Sequence, residues 1–273
     1  MLDKLFELKN KVVVITGASG SIGGEISASL AERGCRVALL YNQNQPDDSI
    51  IQRIKDSKSE FALYKCDVTS KDGLKISKNR IKKEFGHIDG LINCAGGNHP
   101  KATTSLENSF FKISKESFEW VTKLNLMGTV LPCQIFGEEF TKNKKGNIIN
   151  ISSMAAIRPL TKIPAYSASK AAINSFTRWL SVYMVKEYSI NIRVNAISPG
   201  FFIGKQNRYL LIDKDTGNLT KRGKSIIENT PMGKFGEPKQ LISTVVWLLS
   251  DHSDFVTGVL IPVDGGFDAF GGV

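Results

Sequence analysis

Tyr166 and Lys170, in the segment PAYSASK, have the clearest chemical potential in this sequence. They stand four residues apart at the predicted start of a helix, so their side chains lie on one helix face. A free phenol has a pKa of about 10, and a neighbouring ammonium lowers that value toward the range useful for proton transfer. The spacing therefore fits either an acid–base pair or an ordinary surface pair.

A glycine-rich turn near the start of the chain points to a phosphate group. The segment TGASGSIG holds Gly17, Gly20 and Gly23, between an apolar run and an amphipathic pattern. Such a turn lets the backbone approach a phosphate at a helix N-terminus, where N–H groups and the helix dipole favour an anion. The spacing differs from G-x-G-x-x-G, so the turn indicates nucleotide binding or a simple chain reversal.

Short β-branched runs alternate with longer helical patterns along the chain. Strands are predicted at 11–16, 35–41, 61–65, 88–93, 146–152, 191–198 and 258–263. Helices are predicted at 21–33, 47–57, 70–85, 114–142, 164–188 and 238–250. This alternation predicts an α/β fold with a parallel sheet and a single domain over residues 1–273. The segments 96–113 and 199–224 remain irregular, as binding loops often do.

The composition is that of a globular chain, with 273 residues, 41% of them hydrophobic and 23% charged. This length can bury a substantial core without disulfides or metals. The four cysteines show neither C-x-x-C spacing nor a Cys/His cluster. We therefore predict buried thiols in a reducing compartment and no metal site.

The net charge of +10 is spread along the chain and is not accompanied by a nucleic-acid motif. A solvated lysine-rich surface explains it more simply than a nucleic-acid partner. The N-terminal segment lacks the apolar run of a signal peptide, and no apolar run reaches the length of a membrane span. We expect a soluble cytoplasmic protein with neither nucleic-acid nor membrane partners.

Further motifs follow the glycine turn in a fixed order. They are CDV with Asp67, NCAG at 93–96, Asn125 in KLNLMGT, Ser153 in NISSM, YSASK, RVNAISPG at 193–200 and VDGG. This series resembles the classical branch of the short-chain dehydrogenase/reductase family over nearly the whole chain. The resemblance implies a single-domain Rossmann fold, with a doubly wound seven-stranded parallel sheet flanked by helices. It also implies an NAD(P)-dependent oxidoreductase.

The resemblance implies four catalytic residues. Tyr166 would exchange a proton with a carbonyl or alcohol oxygen, while Lys170 would lower the Tyr166 pKa and bind the nicotinamide ribose. Ser153 would hydrogen-bond the reacting oxygen; Ser152 competes for this role, but the family spacing to the tyrosine selects Ser153. Asn125 would mark a helix irregularity and hold a water for a proton relay.

The resemblance also implies a site for NAD or NADP. An acidic residue after the second strand would favour NAD and a basic one NADP. Tyr41 and Asn42 stand there with neither charge, so we expect a slight preference for NADP. Gly204 replaces a threonine of the family pattern, which puts that cofactor contact in doubt. The predicted cofactor-binding residues are Gly17, Ser19, Gly20, Ser21, Ile22, Gly23, Tyr41, Asn42, Asp67, Val68, Asn93, Ala95, Gly96, Tyr166, Lys170, Pro199, Gly200 and Phe202.

The irregular segments are rich in polar and cationic side chains, which favours a polar, anionic substrate. Each cation taken singly could equally be a solvated loop charge. Lys162 and Gln206 are also among these polar and cationic side chains. The predicted substrate-binding residues are Asn98, His99, Lys101, Arg158, Asn207 and Arg208.

The segments AGGNHPKATT, RPLTKIPAYSA and PGFF with the following QNR resemble the bacterial D-mannonate oxidoreductase (fructuronate reductase) subgroup. That resemblance implies interconversion of a ketone and a secondary alcohol on a sugar acid, D-fructuronate and D-mannonate. Reduction of another polar carbonyl remains an alternative, such as a ketogluconate, a keto-sugar or a 3-oxoacyl thioester. A non-catalytic dinucleotide-binding sensor is a further alternative.

A stripe of alanine and aromatic residues on the helix that carries Tyr166 predicts either core packing or a subunit contact. Its residues are Ala168, Ala172, Phe176, Trp179 and Tyr183. The family resemblance implies a homotetramer, or a dimer, with this helix and the last strand in the subunit contacts.

Overall fold

The computed structural model describes residues 6–204 and 208–272. A seven-stranded parallel sheet runs through the chain in the order β3-β2-β1-β4-β5-β6-β7. The strands are β1 (Val12–Thr16), β2 (Arg36–Tyr41), β3 (Phe61–Lys65), β4 (Gly90–Asn93), β5 (Gly146–Ile151), β6 (Ile192–Pro199) and β7 (Leu260–Val263). This confirms the predicted doubly wound Rossmann fold. The order reverses between β1 and β4, where a crevice opens at the carboxyl ends of the strands.

The strands are apolar because helices cover both faces of the sheet. Val13 and Ile15 of β1 pack into the hydrophobic cluster on one face. Val12 and Val14 of the same strand pack into the cluster on the other face. Successive side chains of a strand point to opposite faces, so a strand buried on both sides shows no polar alternation.

Nine α-helices lie in the described part of the chain. They are α1 (Ser21–Ala31), α2 (Asp48–Asp56), α3 (Lys71–Phe85), α4 (Lys115–Thr122), α5 (Gly128–Asn143), α6 (Pro164–Glu187), α7 (Arg208–Leu211), α8 (Lys221–Glu228) and α9 (Ile242–Leu249). The predicted helix at 114–142 is divided by a π-helical turn, Lys123–Met127. The prediction missed α7 and α8, since both are short and lie in a segment rich in charge and turn residues.

Amide side chains tie the centre of the sheet to α6. Asn93 of β4 donates to Asn150 of β5 at 2.9 Å, and Asn150 donates to Thr177 of α6 at 2.9 Å. All three side chains are buried. These directed bonds set the position of α6 relative to the strand ends, which apolar packing alone would leave less specific.

Asn150→Ala removes the central member of this network. It leaves buried polar groups of Asn93 and Thr177 without that partner, so we expect the free energy of unfolding to fall by about 2–3 kcal/mol. Urea unfolding would measure the change. Asn143→Ala, at the exposed end of α5, is the matched control and should have little effect. A loss no larger for Asn150→Ala than for the control would contradict this account.

Candidate active site

A cavity of about 700 Å³ lies at the carboxyl ends of the strands. It extends from the glycine turn to the first turn of α6. Most of the predicted site residues line it, although they come from distant parts of the sequence. They are Gly17, Ser19, Gly20, Ser21, Ile22, Gly23, Tyr41, Asn42, Asp67, Val68, Ala95, Gly96, Asn98, His99, Ser153, Tyr166, Lys170, Pro199, Gly200 and Phe202.

The glycine turn is tightly packed against the neighbouring strand end. Gly17 has a φ of +65°, and a Cβ there would lie 2.7 Å from the Cα of Ala95. A Cβ at Gly23 would overlap the carbonyl oxygen of Gly17. No side chain caps the start of α1 at Gly20. This combination of close backbone approach and a helix N-terminus fits a pyrophosphate.

Beyond the glycine turn, the cavity continues along the ends of β2 and β3. Tyr41 and Asn42 line it there, with Val68 and the carboxylate-bearing Asp67. Asp67 Oδ1 accepts hydrogen bonds from the backbone and hydroxyl of Thr69, at 2.8 and 2.9 Å. Asp67 therefore also shapes the turn after β3. The size of the cavity and its glycine cradle fit a dinucleotide.

Asn93 requires a correction. We predicted that it would lie along the cofactor, but its side chain is 1% exposed and is absent from the cavity wall. Its amide donates to Asn150 and to the Cys133 sulfur, at 2.9 and 3.2 Å. The side chain turns into the helix-covered core because alternate positions of a strand face opposite sides.

The first two turns of α6 place Tyr166 and Lys170 at the cavity. Lys170 Nζ donates to the Ile151 carbonyl at 2.7 Å and lies 5.5 Å from the centre of the Tyr166 ring. Burial lowers the pKa of Lys170 to about 8. Burial raises the pKa of Tyr166, and a hydrogen bond with Ser153 opposes that rise.

The expected lowering of the Tyr166 pKa by Lys170 is therefore not seen in this arrangement. The ammonium lies near the ring and is hydrogen-bonded to a backbone carbonyl. Desolvation dominates the pKa of the phenol, and Ser153 supplies the opposing interaction. A protonated phenol at neutral pH is suited to donating a proton.

The two adjacent serines have different partners. The Ser152 hydroxyl is buried and donates to the Asn174 side chain of α6 at 2.6 Å. Ser153 begins a short turn, where its oxygen accepts a hydrogen bond from the Ala155 N–H at 3.1 Å. Its side chain is also hydrogen-bonded with that of Tyr166. The geometry thus favours Ser153 over Ser152 as the serine whose hydroxyl would hydrogen-bond the same substrate oxygen as Tyr166.

Asn125 lies within the π-helical turn between α4 and α5, which confirms the predicted helix irregularity. Its amide nitrogen donates to the carbonyls of Gly97 and Val121, at 2.7 and 2.8 Å. A Cβ at Gly96 would lie 2.7 Å from Asn125 Oδ1 and 3.4 Å from Lys170 Nζ. The glycine therefore lets Asn125 and Lys170 approach from two sides.

Asn98 and His99 line the cavity within the segment 96–113. Asn98 donates to Thr103 at 2.8 Å. His99 accepts from the Lys101 N–H at 3.2 Å, and its ring lies 5.1 Å from that of Trp120. These contacts give the segment an ordered form, including two short 3₁₀ turns, that the sequence did not predict.

The predicted cationic substrate residues do not all meet the cavity. Lys101 and Arg208 are exposed and lie outside its wall. Arg158 pairs with Asp268 at 2.9 Å and lines a neighbouring cavity instead. Asn207 and Gln206 lie outside the described residues.

Sequence reasoning missed several residues of the cavity wall. Cys94, Gly97, Ser105 and Asn108 come from segments that it had already singled out. Arg222 lies in α8, whose existence it did not predict. A cation inside a long irregular segment was the only signal for Arg222 in the sequence.

Two negative findings concern the described residues alone. Residues 6–204 and 208–272 contain no group of three or more His, Cys, Asp or Glu side chains placed to hold a metal ion. Within the same ranges, no helix is both long and apolar enough to cross a membrane.

Comparison with known proteins places the chain in a family. A family model described as enoyl-(acyl carrier protein) reductase matches residues 17–268. An uncharacterized oxidoreductase of Haemophilus influenzae is 43% identical over 97% of this chain and 96% of its own length. A 2-dehydro-3-deoxy-D-gluconate 5-dehydrogenase of Escherichia coli is 30% identical over 98% of this chain and 99% of its own.

A solved structure supports the same assignment. A Haemophilus influenzae protein, named provisionally as a D-mannonate oxidoreductase and holding NAD, superposes with a TM-score of 0.91. The two sequences are 43% identical over 98% of each chain. The chain belongs to the short-chain dehydrogenase/reductase family, whose members bind NAD or NADP. It is an NAD(P)-dependent oxidoreductase.

The buried ammonium of Lys170 makes stability depend on pH. Its folded-state pKa of about 8 lies below the ordinary value of 10.5. The unfolded chain therefore binds more protons in this window, and the stability of the wild type rises with pH. Lys170→Met lacks the titrating ammonium, so its stability does not carry this pH dependence. We expect Lys170→Met to be more stable than the wild type at about pH 7. The difference in the free energy of unfolding should shrink by about 2 kcal/mol on raising the pH to about 9.5.

Urea unfolding at the two pH values would measure that change. Lys101→Met is the matched control, since Lys101 is exposed. A pH-independent difference between Lys170→Met and the wild type would show that the buried lysine is not desolvated as described.

Proposed function

We propose that this chain interconverts a ketone and a secondary alcohol on a sugar acid, with D-fructuronate and D-mannonate as the preferred pair. The observation that carries the proposal is the meeting of Ser153, Tyr166 and Lys170 in one cavity with the glycine turn. A proton donor therefore shares a cavity with a phosphate-binding backbone. That arrangement suits reduction of a carbonyl beside a nicotinamide cofactor.

The proposed roles follow from the contacts of each side chain. The nicotinamide supplies or accepts the hydride when the cofactor is bound. The Tyr166 hydroxyl donates its proton to the carbonyl oxygen, and the Ser153 hydroxyl hydrogen-bonds that oxygen as negative charge develops on it. Lys170 binds the ribose. Asn125 holds a water that returns a proton to the site.

Glycines and strand ends hold the cofactor in this proposal. The glycine turn takes the pyrophosphate, while Tyr41, Asn42, Asp67 and Val68 border the adenosine half. Ala95 and Gly96 continue along the adenosine half, while Pro199 and Gly200 begin the loop beside the nicotinamide, followed by Phe202; all five line the cavity.

The charge of the cavity wall favours NAD over NADP. The wall contributed by the ends of β1, β2 and β3 contains Asp67 and, among the described residues, no cation. A 2′-phosphate would meet no compensating charge there. The Haemophilus influenzae structure holds NAD. We therefore propose NAD in place of the slight preference for NADP drawn from the sequence.

A sugar acid substrate is supported by two independent features. The cavity wall contains the polar and cationic side chains of Asn98, His99, Lys162 and Arg222 among apolar ones. The Escherichia coli relative is named for a sugar acid substrate. A 3-oxoacyl thioester is the principal alternative, because the matching family model is described by acyl-carrier chemistry.

The exposed face of α6 supports an oligomer. Trp179 is 60% exposed and stacks on Tyr183, with ring centres 5.0 Å apart, and on Phe176 at 6.5 Å. The predicted stripe is thus not buried within the single chain. We propose that a second copy covers it in a homotetramer or dimer, and that the protein is cytoplasmic.

Tyr166→Phe tests the catalytic role. Loss of the proton donor should lower kcat for ketone reduction by at least about 100-fold, while NADH binding persists. NADH oxidation would be followed spectroscopically, with Tyr188→Phe as the control. Equal rates for wild type and Tyr166→Phe would refute the role.

A substrate panel tests the reaction. Fructuronate, tagaturonate, 5-ketogluconate and a 3-oxoacyl thioester would be compared by kcat/KM with NADH. We expect fructuronate to be the best substrate, because the cavity wall offers Lys162 and Arg222 to a carboxylate and Asn98 and His99 to hydroxyl groups. An inert fructuronate beside an active thioester would overturn the proposed function.

Asn42→Arg tests the cofactor assignment. The wild type should prefer NADH over NADPH by at least about tenfold in kcat/KM, about 1.4 kcal/mol. Asn42→Arg should reverse or abolish this preference by offering a charge to the 2′-phosphate, and Asn42→Gln should not. A wild-type preference for NADPH would restore the expectation drawn from the sequence.

A further inference from the structure

A second cavity of about 510 Å³ adjoins the active site. Leu160, Lys162, Phe201 and Arg222 line both cavities and therefore form the passage between them. The wall of the second cavity contains four cations and, among the described residues, no carboxylate. The four cations are Arg158, Lys162, Lys221 and Arg222.

Arg158 is already neutralised. Its Nε lies 2.9 Å from the Asp268 carboxylate, and its guanidinium also donates to the Asp268 backbone carbonyl. An arginine held in this way has little free capacity for another anion. Although Arg158 stood out in the sequence as a carboxylate ligand, the structure gives it a different partner.

Arg222, unlike Arg158, has no anionic partner among the described residues. It is partly buried and makes no hydrogen bond or ion pair with any other residue that the structure describes. Burial lowers the pKa of its guanidinium, and no neighbouring anion opposes that change. Removing a charged group from water without a partner is unfavourable. Such a group at the edge of a catalytic cavity is suited to an anionic ligand.

The backbone around Arg222 holds it in place. Thr220 caps the start of α8 by accepting a hydrogen bond from the Gly223 N–H at 3.0 Å. A Cβ at Gly223 would overlap the carbonyl oxygen of Leu211, so α8 packs closely on α7. Arg222 therefore projects from a packed helical pair, and its position does not depend on a free loop.

Lys162 also lines the passage, where it is exposed. Its φ is +77°, an unfavourable conformation for a residue with a side chain. Its carbonyl accepts a hydrogen bond from the Thr104 N–H at 2.9 Å, which links the loop before α6 to the segment 96–113. The structure thus holds a second cation at the same passage.

We propose that Arg222, with Lys162 beside it, forms the subsite that binds the carboxylate of the substrate. Arg222 supplies a planar pair of N–H donors that matches a carboxylate, and Lys162 adds a point charge. The anion lies at the passage between the cavities, and the carbonyl chain extends from there toward Tyr166. This inference rests on the proposed function, and it makes Arg222 a specificity-determining residue rather than a catalytic residue.

Arg222→Gln tests the subsite in steady-state kinetics. We expect KM for fructuronate to rise at least tenfold, with little change in kcat or in NADH affinity. Reduction of an uncharged keto-sugar should change far less. Arg222→Lys should recover part of the loss. Lys221→Gln is the matched control, because Lys221 adjoins Arg222 in sequence and lines the second cavity alone.

Three outcomes would overturn the proposal. One is an unchanged KM for fructuronate in Arg222→Gln. Another is an equal loss with the uncharged keto-sugar, which would indicate a structural role. The third is a matching loss of NADH affinity, measured by fluorescence, which would place Arg222 on the cofactor.

A binding experiment separates this subsite from the proposed reaction. Tyr166→Phe protein loaded with NAD would be titrated by calorimetry with D-mannonate and with the uncharged alcohol mannitol. We expect mannonate to bind, mannitol to bind much more weakly, and an added Arg222→Gln change to weaken mannonate at least tenfold. If mannonate binding depends on Arg222 but fructuronate is not turned over, the subsite stands and the proposed reaction is wrong. If fructuronate is turned over but mannonate binding does not depend on Arg222, the reaction stands and the subsite is wrong.

Discussion

The hydrogen bond from Lys170 to the Ile151 carbonyl is the interaction on which the site depends. It joins α6 to the carboxyl end of β5 and carries a charged group into a buried position. A neutral carbonyl compensates only part of the lost hydration, so the pKa of the ammonium falls to about 8. Tyr166 lies one turn earlier on the same helix, and the bond therefore also determines where its hydroxyl meets the cavity.

The surrounding structure is arranged to permit this burial. Gly96 leaves room for the side chains of both Asn125 and Lys170, and the π-helical turn brings Asn125 to that point. The network from Asn93 through Asn150 to Thr177 holds the same helix against the sheet about two turns further along. A π-helical turn within a helix and polar side chains within a core are each unfavourable by themselves. Together they hold α6 in the one position at which the cavity is complete.

The two halves of the cavity are built by different means. The proposed cofactor half relies on backbone geometry, because glycines allow close backbone approach at the start of α1 and the strand ends form the remaining wall. The proposed substrate half relies on side chains from separate loops and from α8. Charge separates the halves as well: the wall from β1 to β3 contains Asp67, while Lys162 and Arg222 lie at the opposite end. This asymmetry suits a cofactor held by backbone groups and a substrate selected by its charge.

From the sequence alone, local periodicity predicted the parallel α/β fold. The order of the motifs, through the family resemblance, indicated Ser153, Tyr166 and Lys170. Tertiary structure decided which side chains face the cavity. It turned Asn93 into the core, paired Arg158 with Asp268, and brought Arg222 from an unpredicted helix to the passage beside the active site. Those outcomes depend on contacts between residues far apart in the chain, and on the cost of burying a charge, neither of which a local pattern records.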